Sequence, residues 1–272
     1  MDRGAGASES SAASLRKSSY RAPVRIAVVI PAVDEEEAIE AAIASARGSR
    51  KRASSRERGV SREGSTPDPV AEVALDPKEV IVVDGGSRDR TAECARAAGA
   101  RVLAVPRGRA RQLEVGWRAS DADAVLFLHA DTRLPAGWAS AVRAALADPR
   151  VVGGAFALRF DRRSPALRII EWGARLRVAL FGLPYGDQAL FARRAALEAV
   201  GGVPLVPILE DVDLVRALRR RGRFRMLGLP VTTSARRYLR GGVARTWLRH
   251  ALVLAAWRLG VDRERLAAWY VR

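Results

Sequence analysis

Carboxylates in this chain recur where apolar runs end, and they carry most of the chemistry that the residue types allow. The run Val80-Ile81-Val82-Val83-Asp84-Gly85-Gly86-Ser87-Arg88-Asp89-Arg90-Thr91 joins four apolar, mostly β-branched residues to a carboxylate and two glycines. The apolar part predicts a buried strand, and the glycines let the backbone turn sharply after it. Ser87 is expected to cap a helix over 91–98. Ligands of open α/β sheets bind outside the carboxyl ends of strands, so Asp84 and Asp89 stand where one would be met. A carboxylate there suits the donor groups of a base or a ribose and repels a phosphate. A capping turn with no ligand is the plainer alternative.

Other groups point to the same edge. His129-Ala130-Asp131-Thr132 closes the apolar run 124–128. A His and an Asp two apart at a strand end face the same way, as metal ligands should. Glu210-Asp211-Val212-Asp213 puts three acids before a basic helix. Capping and the helix dipole account for part of that cluster, and a general base is the functional reading. Gly108-Arg109-Ala110-Arg111 at a helix start makes an anion site.

The positioning elements follow the usual punctuation. Residues 25–32 predict a first buried parallel strand. Asp34 is expected to cap a helix with Glu35, Glu36 and Glu37 in its first turn. Further strands are expected near 101–105, 124–128, 151–160, 189–192 and 224–232. Helices are expected from 137, 165, 194, near 210 and over 244–259. Arginine-rich residues from 47 onward lack apolar periodicity and read as a disordered insertion, 47–70. Residues 1–22 read as a disordered tail. The domain is thus expected over 23–240, with a helical extension over 241–272.

The 272 residues carry a net charge of +17 and one cysteine. One cysteine excludes a disulfide framework and a cysteine-based zinc site. Residues 216–272 hold fifteen arginines and only two acids, Asp262 and Glu264. Such a field draws in nucleotides, anionic lipid or nucleic acid. Specific nucleic-acid binding is not expected, because the basic insertion has no aromatic residues for base stacking. No run approaches the ~18 apolar residues of a spanning helix. A cytoplasmic setting, with peripheral contact to the inner face of the membrane as an option, is the expectation.

Taken together, these segments resemble the family 2 glycosyltransferases of GT-A fold. Pro31-Ala32-Val33-Asp34-Glu35-Glu36 resembles the family's opening motif, which usually has Asn at the place of Asp34. The run 82–91 is similar to its nucleotide-binding motif, and Leu128-His129-Ala130-Asp131-Thr132 takes the place of its Asp-x-Asp. Glu210-Asp211 is similar to the acidic pair that supplies the base. The set Gly108-Arg109-Ala110-Arg111-Gln112, 127–132, Tyr185-Gly186-Asp187-Gln188 and 233–237 resembles a bacterial subgroup labelled arsenosugar-biosynthesis glycosyltransferases.

The resemblance implies a single α/β domain with a mostly parallel central sheet and a C-terminal helical segment. It implies inverting transfer of one sugar from a nucleoside-diphosphate sugar, a UDP-sugar first among them, to a small or lipid-like acceptor. Pro31, Val33, Glu35, Asp84, Asp89, Arg109 and Arg236 are then the donor-binding residues. Asp131, with His129, holds Mn²⁺ or Mg²⁺. Asp211, with Glu210, is the base, and Tyr185, Asp187 and Gln188 face the acceptor. The Gln-x-x-Arg-Trp motif of processive synthases is absent. A nucleotidyltransferase is disfavoured because no Gly-rich basic loop follows the first strand. A non-catalytic anion-binding protein remains as the reading of another class.

Overall fold

The computed structural model describes residues 23–48 and 79–271; the expected tail and nearly all of the basic insertion lie outside the described residues. The elements run β1 (Ile26–Ala32), α1 (Ile39–Ala46), β2 (Glu79–Asp84), α2 (Thr91–Ala97), β3 (Arg101–Ala104), α3 (Arg109–Arg118), β4 (Ala124–Phe127) and β5 (Thr132–Arg133). They continue as α4 (Trp138–Leu146), β6 (Val151–Phe160), α5 (Pro165–Phe181), a 3-10 turn (Gly186–Gln188), β7 (Phe191–Arg193), α6 (Arg194–Ala199) and α7 (Glu210–Arg219). β8 (Arg223–Thr233), α8 (Arg236–Gly241), α9 (Val243–Arg258) and α10 (Arg263–Val271) complete the chain.

One sheet forms in the order β3-β2-β1-β4-β7-β6-β8-β5. β1, β2, β3 and β4 pair in parallel, and so do β6 and β8; β7 and β5 enter antiparallel. The apolar runs are buried on both sides, as parallel strands require. Val28, Ile30, Val82 and Leu126 join the core under α1 and α4. Their alternates Val29, Ile81, Val83, Val125 and Phe127 join the core beneath α3 and α7. Pro31 falls beyond the last β1–β4 pair, Val29 with Phe127, so its missing N–H removes no ladder bond there. α3 lies close on the sheet because Gly116 has no Cβ; one placed there would stand 2.3 Å from Val29 Cγ1.

Two expected caps are corrected. Asp34 caps no helix: α1 starts at Ile39 without a side-chain cap, and only Glu40 lies in its first turn. Asp34 instead has φ 53° and its carboxylate accepts from Arg88 N–H at 2.8 Å. Ser87 does not cap α2 either. Asp89 accepts from the first N–H of that helix, at Thr91, while Ser87 turns back to the Asp84 carboxylate.

The C-terminal helices fold back on the domain. Tyr238 packs edge-on against Phe160 at 5.2 Å between ring centroids. Arg263 of α10 pairs with Asp213 of α7 at 2.6 Å and donates to Ile208 C=O at 3.0 Å. His250 sits between Tyr270, 2.9 Å from its Nε2, and Tyr238, 3.3 Å from its Nδ1. Burial first, then the charges of Arg237, Arg249 and Arg177, push His250 down to about 4. The unfolded chain protonates this histidine near pH ~6.5. Between those values the unfolded state binds a proton that the fold refuses, so stability falls as pH falls through the window. His250→Gln should lose less melting temperature than the parent between about pH 7 and about pH 4.5; thermal melts of both proteins at the two pH values check this.

Candidate active site

Two loops at the carboxyl ends of β1 and β2 are stapled to each other. Asp34 N–H donates to Ser87 Oγ (3.0 Å), Glu35 N–H to Thr91 Oγ1 (2.8 Å) and Glu36 N–H to Asp89 Oδ2 (3.1 Å). In return, Arg88 N–H reaches Asp34 and Arg90 N–H reaches Glu36. Gln112 braces the floor from α3: its amide donates to Ala32 C=O at 3.0 Å and Val83 C=O at 2.8 Å. Val33 packs against Gly85 so closely that a Cβ on that glycine would meet Val33 Cγ2 at 2.7 Å.

Within this cradle Asp84 accepts from the N–H groups of Gly86 and Ser87 and from the Ser87 hydroxyl. It is buried, and it shapes the turn as well as facing the rim. Asp89 is similarly spent on Thr91 and Glu36. Burial works to raise its carboxyl, but hydrogen bonds from Thr91 and Glu36 prevail and hold it below the ordinary range.

A second group gathers beside it. Arg109, at the start of α3, pairs through Nε with Glu210 at 3.2 Å, and its other end meets His129 Nε2. Asp211 follows in the first turn of α7, where its two oxygens accept from Gly186 N–H (2.7 Å) and Val212 N–H (2.8 Å). Asp187 lies in the 3-10 turn with a buried Oδ1 that has no hydrogen-bond partner among the described residues. Burial and the charges of Asp211 and Asp131 raise Asp187 above the carboxylate range, against Arg177 and Arg109. Glu210 is raised as well: burial outweighs its arginine, and Asp211 adds to it. Arg109 stays firmly charged, since three carboxylates outweigh its own burial. Burial, then Arg109 and Arg237, hold His129 well below its ordinary value, so it is the neutral imidazole.

Asp131 connects the two groups. It lines a cleft with Glu37, Asp161, Ser234 and Arg236. Arg236 reaches from the start of α8 to Glu35 at 2.7 Å. Burial raises Glu35 against that pairing, and Asp131 contributes to the rise. The same Asp131 charge acts on Asp187. The structure therefore brings Glu35, Asp131, Asp187 and Arg236, expected on different sides of the site, within electrostatic reach of one another. Among the described residues no three His, Cys, Asp or Glu side chains converge tightly enough to hold a cation alone. Asp131 offers hard oxygen ligands, whereas His129 Nε2 faces Arg109. That donor set fits a hard divalent cation that would need further oxygen ligands.

The three acceptor-side residues divide. Asp187 keeps an unsatisfied oxygen. Gln188 is spent on the fold, donating to Phe156 C=O at 3.0 Å and accepting from Arg177 and Tyr185 N–H. Tyr185 is half-buried, with the Arg177 guanidinium 3.4 Å above its ring. Arg177 and Gln112 were not expected in these roles. Gln112 left a signal, as a polar residue on the apolar face of α3 with Ala110, Leu113 and Trp117. Arg177 left none, because the loop it holds folds back from beyond the end of α5. Asp213, by contrast, is committed to Arg263.

The family described as "Glycosyl transferase family 2" matches residues 27–197. The chain belongs to that family. No curated protein matches it. Among solved structures it is similar to glucosyl-3-phosphoglycerate synthase from Mycobacterium tuberculosis with Mn²⁺, UDP and glucosyl-3-phosphoglycerate. That likeness has 22% identity and a TM-score of 0.52, over 76% of this chain and 70% of the other. A mannosyltransferase from Pyrobaculum calidifontis with GDP-Man and Mn²⁺ gives 21% identity and a TM-score of 0.55, over 77% and 56% of the two chains. S. aureus TarS gives 15% identity and a TM-score of 0.54, over 77% and 36%.

At this identity the likenesses carry the fold, which is the expected GT-A α/β domain. The chain is accordingly a glycosyltransferase, as its family is. The family match spans the stapled loops, Arg109, His129, Asp131 and the 3-10 turn, and it stops before α7.

Gly186 is the contact point of the base-side group. A Cβ there would stand 2.0 Å from the Arg109 guanidinium and 3.1 Å from His129 Nε2. Gly186→Ala should displace Arg109 from Glu210 and disturb the N–H that holds Asp211. The expected outcome is turnover lowered by at least about tenfold, about 1.4 kcal/mol of barrier, with nucleotide binding retained; steady-state rates and nucleotide titration check it.

Proposed function

We propose that this glycosyltransferase moves one sugar from a nucleoside-diphosphate sugar to an acceptor hydroxyl, with inversion at the anomeric carbon. The observation that carries the reading is the Asp211 carboxylate, fixed by Gly186 N–H at 2.7 Å beside the Arg109–Glu210 pair. Asp211 accepts the hydroxyl proton while the acceptor oxygen bonds to the anomeric carbon. The bond from that carbon to the diphosphate oxygen breaks on the opposite face, and the nucleoside diphosphate departs. Glu210 neutralises Arg109 and keeps its guanidinium in place. Asp187, with its unsatisfied oxygen, orients the acceptor.

The stapled loops of Pro31, Val33, Glu35, Asp84 and Asp89 form the nucleoside cradle. Arg236 lines the cleft with Asp131 and is the arginine placed to face the diphosphate, since Arg109 is engaged by Glu210 and His129. Asp131 is the residue to hold Mn²⁺ or Mg²⁺, and such a cation supplies Lewis-acid neutralisation of the departing diphosphate. UDP, GDP-Man, Mn²⁺ and Mg²⁺ in the related structures support a donor and cation of this class. A lipid or carotenoid acceptor is a second reading, favoured by the apolar side chains exposed on α5 and α9. The setting that goes with both is the cytoplasm and the inner face of its membrane.

Asp211→Asn keeps the shape and removes the base, so turnover should fall by roughly 10²–10⁴-fold while the nucleotide titration stays unchanged. Full activity in that variant would move the base to Glu210 or Asp187. The cation is checked separately. A nucleotide sugar with Mn²⁺ should raise the melting temperature by mass action. Chelation should remove most of that rise, and Asp131→Asn should make the rise insensitive to Mn²⁺.

A further inference from the structure

Among the described residues, fourteen large apolar side chains are exposed, and twelve of them belong to α5 or to residues 239–269. They follow helical spacing. Ile169, Trp172, Leu176 and Leu180 run along α5 opposite its buried stripe of Leu167, Ile170 and Ala174. Leu248 and Leu252 on α9, and Leu259 at its C-cap, do the same, and only Thr246 and Val253 of that helix are buried. The two helices are in contact, and at one end Arg258 of α9 lies 5.8 Å over the Phe181 ring of α5. Apolar surface concentrated this way marks a binding face rather than chance exposure.

That same end holds a hollow lined by Arg216, Arg219, Arg220 and Arg258 beside Leu180 and Phe181, and among the described residues no acid is in its wall. Arg219 donates to the carbonyls of Phe181 and Gly182, which fixes it against the apolar lip. Arg216 lies 4.8 Å over Trp257. Four like charges without a carboxylate among them call for an anion. The neighbouring Leu and Phe call for hydrocarbon.

We propose that this face docks on an anionic phospholipid bilayer, with a headgroup phosphate in the four-arginine hollow and the stripes of α5 and α9 at the acyl boundary. Trp, Leu and Phe beside arginine are the residues of helices that lie in the interface. No helix among the described residues is long and apolar enough to cross a membrane. A second copy would set one cationic hollow against another, and nucleic acid would leave the Leu and Ile stripes uncovered. The inference stands whether or not the acceptor is itself a lipid.

The test is co-sedimentation of the full chain with vesicles, without any sugar nucleotide. Binding is expected to phosphatidylcholine vesicles containing phosphatidylglycerol and not to phosphatidylcholine alone. Arg220→Glu with Arg258→Glu should weaken binding by at least roughly twenty-five-fold, about fivefold per lost arginine. Leu180→Glu with Phe181→Glu should abolish it, with the melting temperature kept because both side chains are exposed. Equal binding to neutral vesicles, or no binding to either, overturns the proposal. So does an effect confined to the arginine variant together with full competition by inorganic phosphate, which would make the hollow a soluble-anion site. A concentration-dependent dimer lost on Leu252→Glu would assign the face to a second copy and overturn it as well.

Discussion

The arrangement at the sheet's rim depends on one ion pair, Arg109 with Glu210. Glu210 is buried, and burial raises its carboxyl despite the arginine. Such a pair is a poor source of stability, because desolvation consumes much of the Coulomb gain. What it does is locate. Arg109 joins the start of α3 to the start of α7 and reaches His129 at the end of β4, so three elements distant in sequence share one guanidinium. Removing Arg109 would leave Glu210 buried beside Asp211 without its cation, whereas removing Glu210 would leave Arg109 with Asp211 and Asp187.

Backbone strain is concentrated at the same rim. Among the described residues the non-glycine positions with left-handed φ are Asp34, Ala189 and Leu209. Asp34 sits in the stapled loop, Ala189 follows the 3-10 turn, and Leu209 precedes Glu210. Each such conformation costs of order 1 kcal/mol and persists only where surroundings fix it. Here hydrogen bonds do so: Asp34 through Arg88 and Ser87, and the α7 start through Gly186 to Asp211. Two of the three strained positions thus lie beside hydrogen bonds that also hold site carboxylates.

What was legible in the sequence follows from the range of the forces involved. Runs such as 26–32 and 80–84 announce buried parallel strands because burial on both faces needs apolar residues at every position. The acids at their ends were readable for the same reason, since a polar residue there must face the rim. The loop chemistry was misread because its partners are remote. Asp34 and Ser87 look like helix caps, and each instead bonds across more than fifty residues of chain. Sequence order gives no sign that Gly186 N–H meets Asp211, or that Arg263 takes Asp213. Nor does sequence order show that the expected extension, 241–272, reaches the start of α7 through Arg263.

α7 ties these features together. Its first turn carries Glu210, Asp211 and Asp213, and its last turn carries Arg216 and Arg219. That order suits the helix dipole at both ends, which is why the acids and the arginines can be close without mixing. Asp211 and Arg219 are eight residues apart, about 12 Å along the axis at ~1.5 Å per residue. Asp211 and two arginines of the hollow, Arg216 and Arg219, therefore belong to one helix. Other C-terminal arginines reach the acids directly, Arg263 at Asp213 and Arg236 at Glu35.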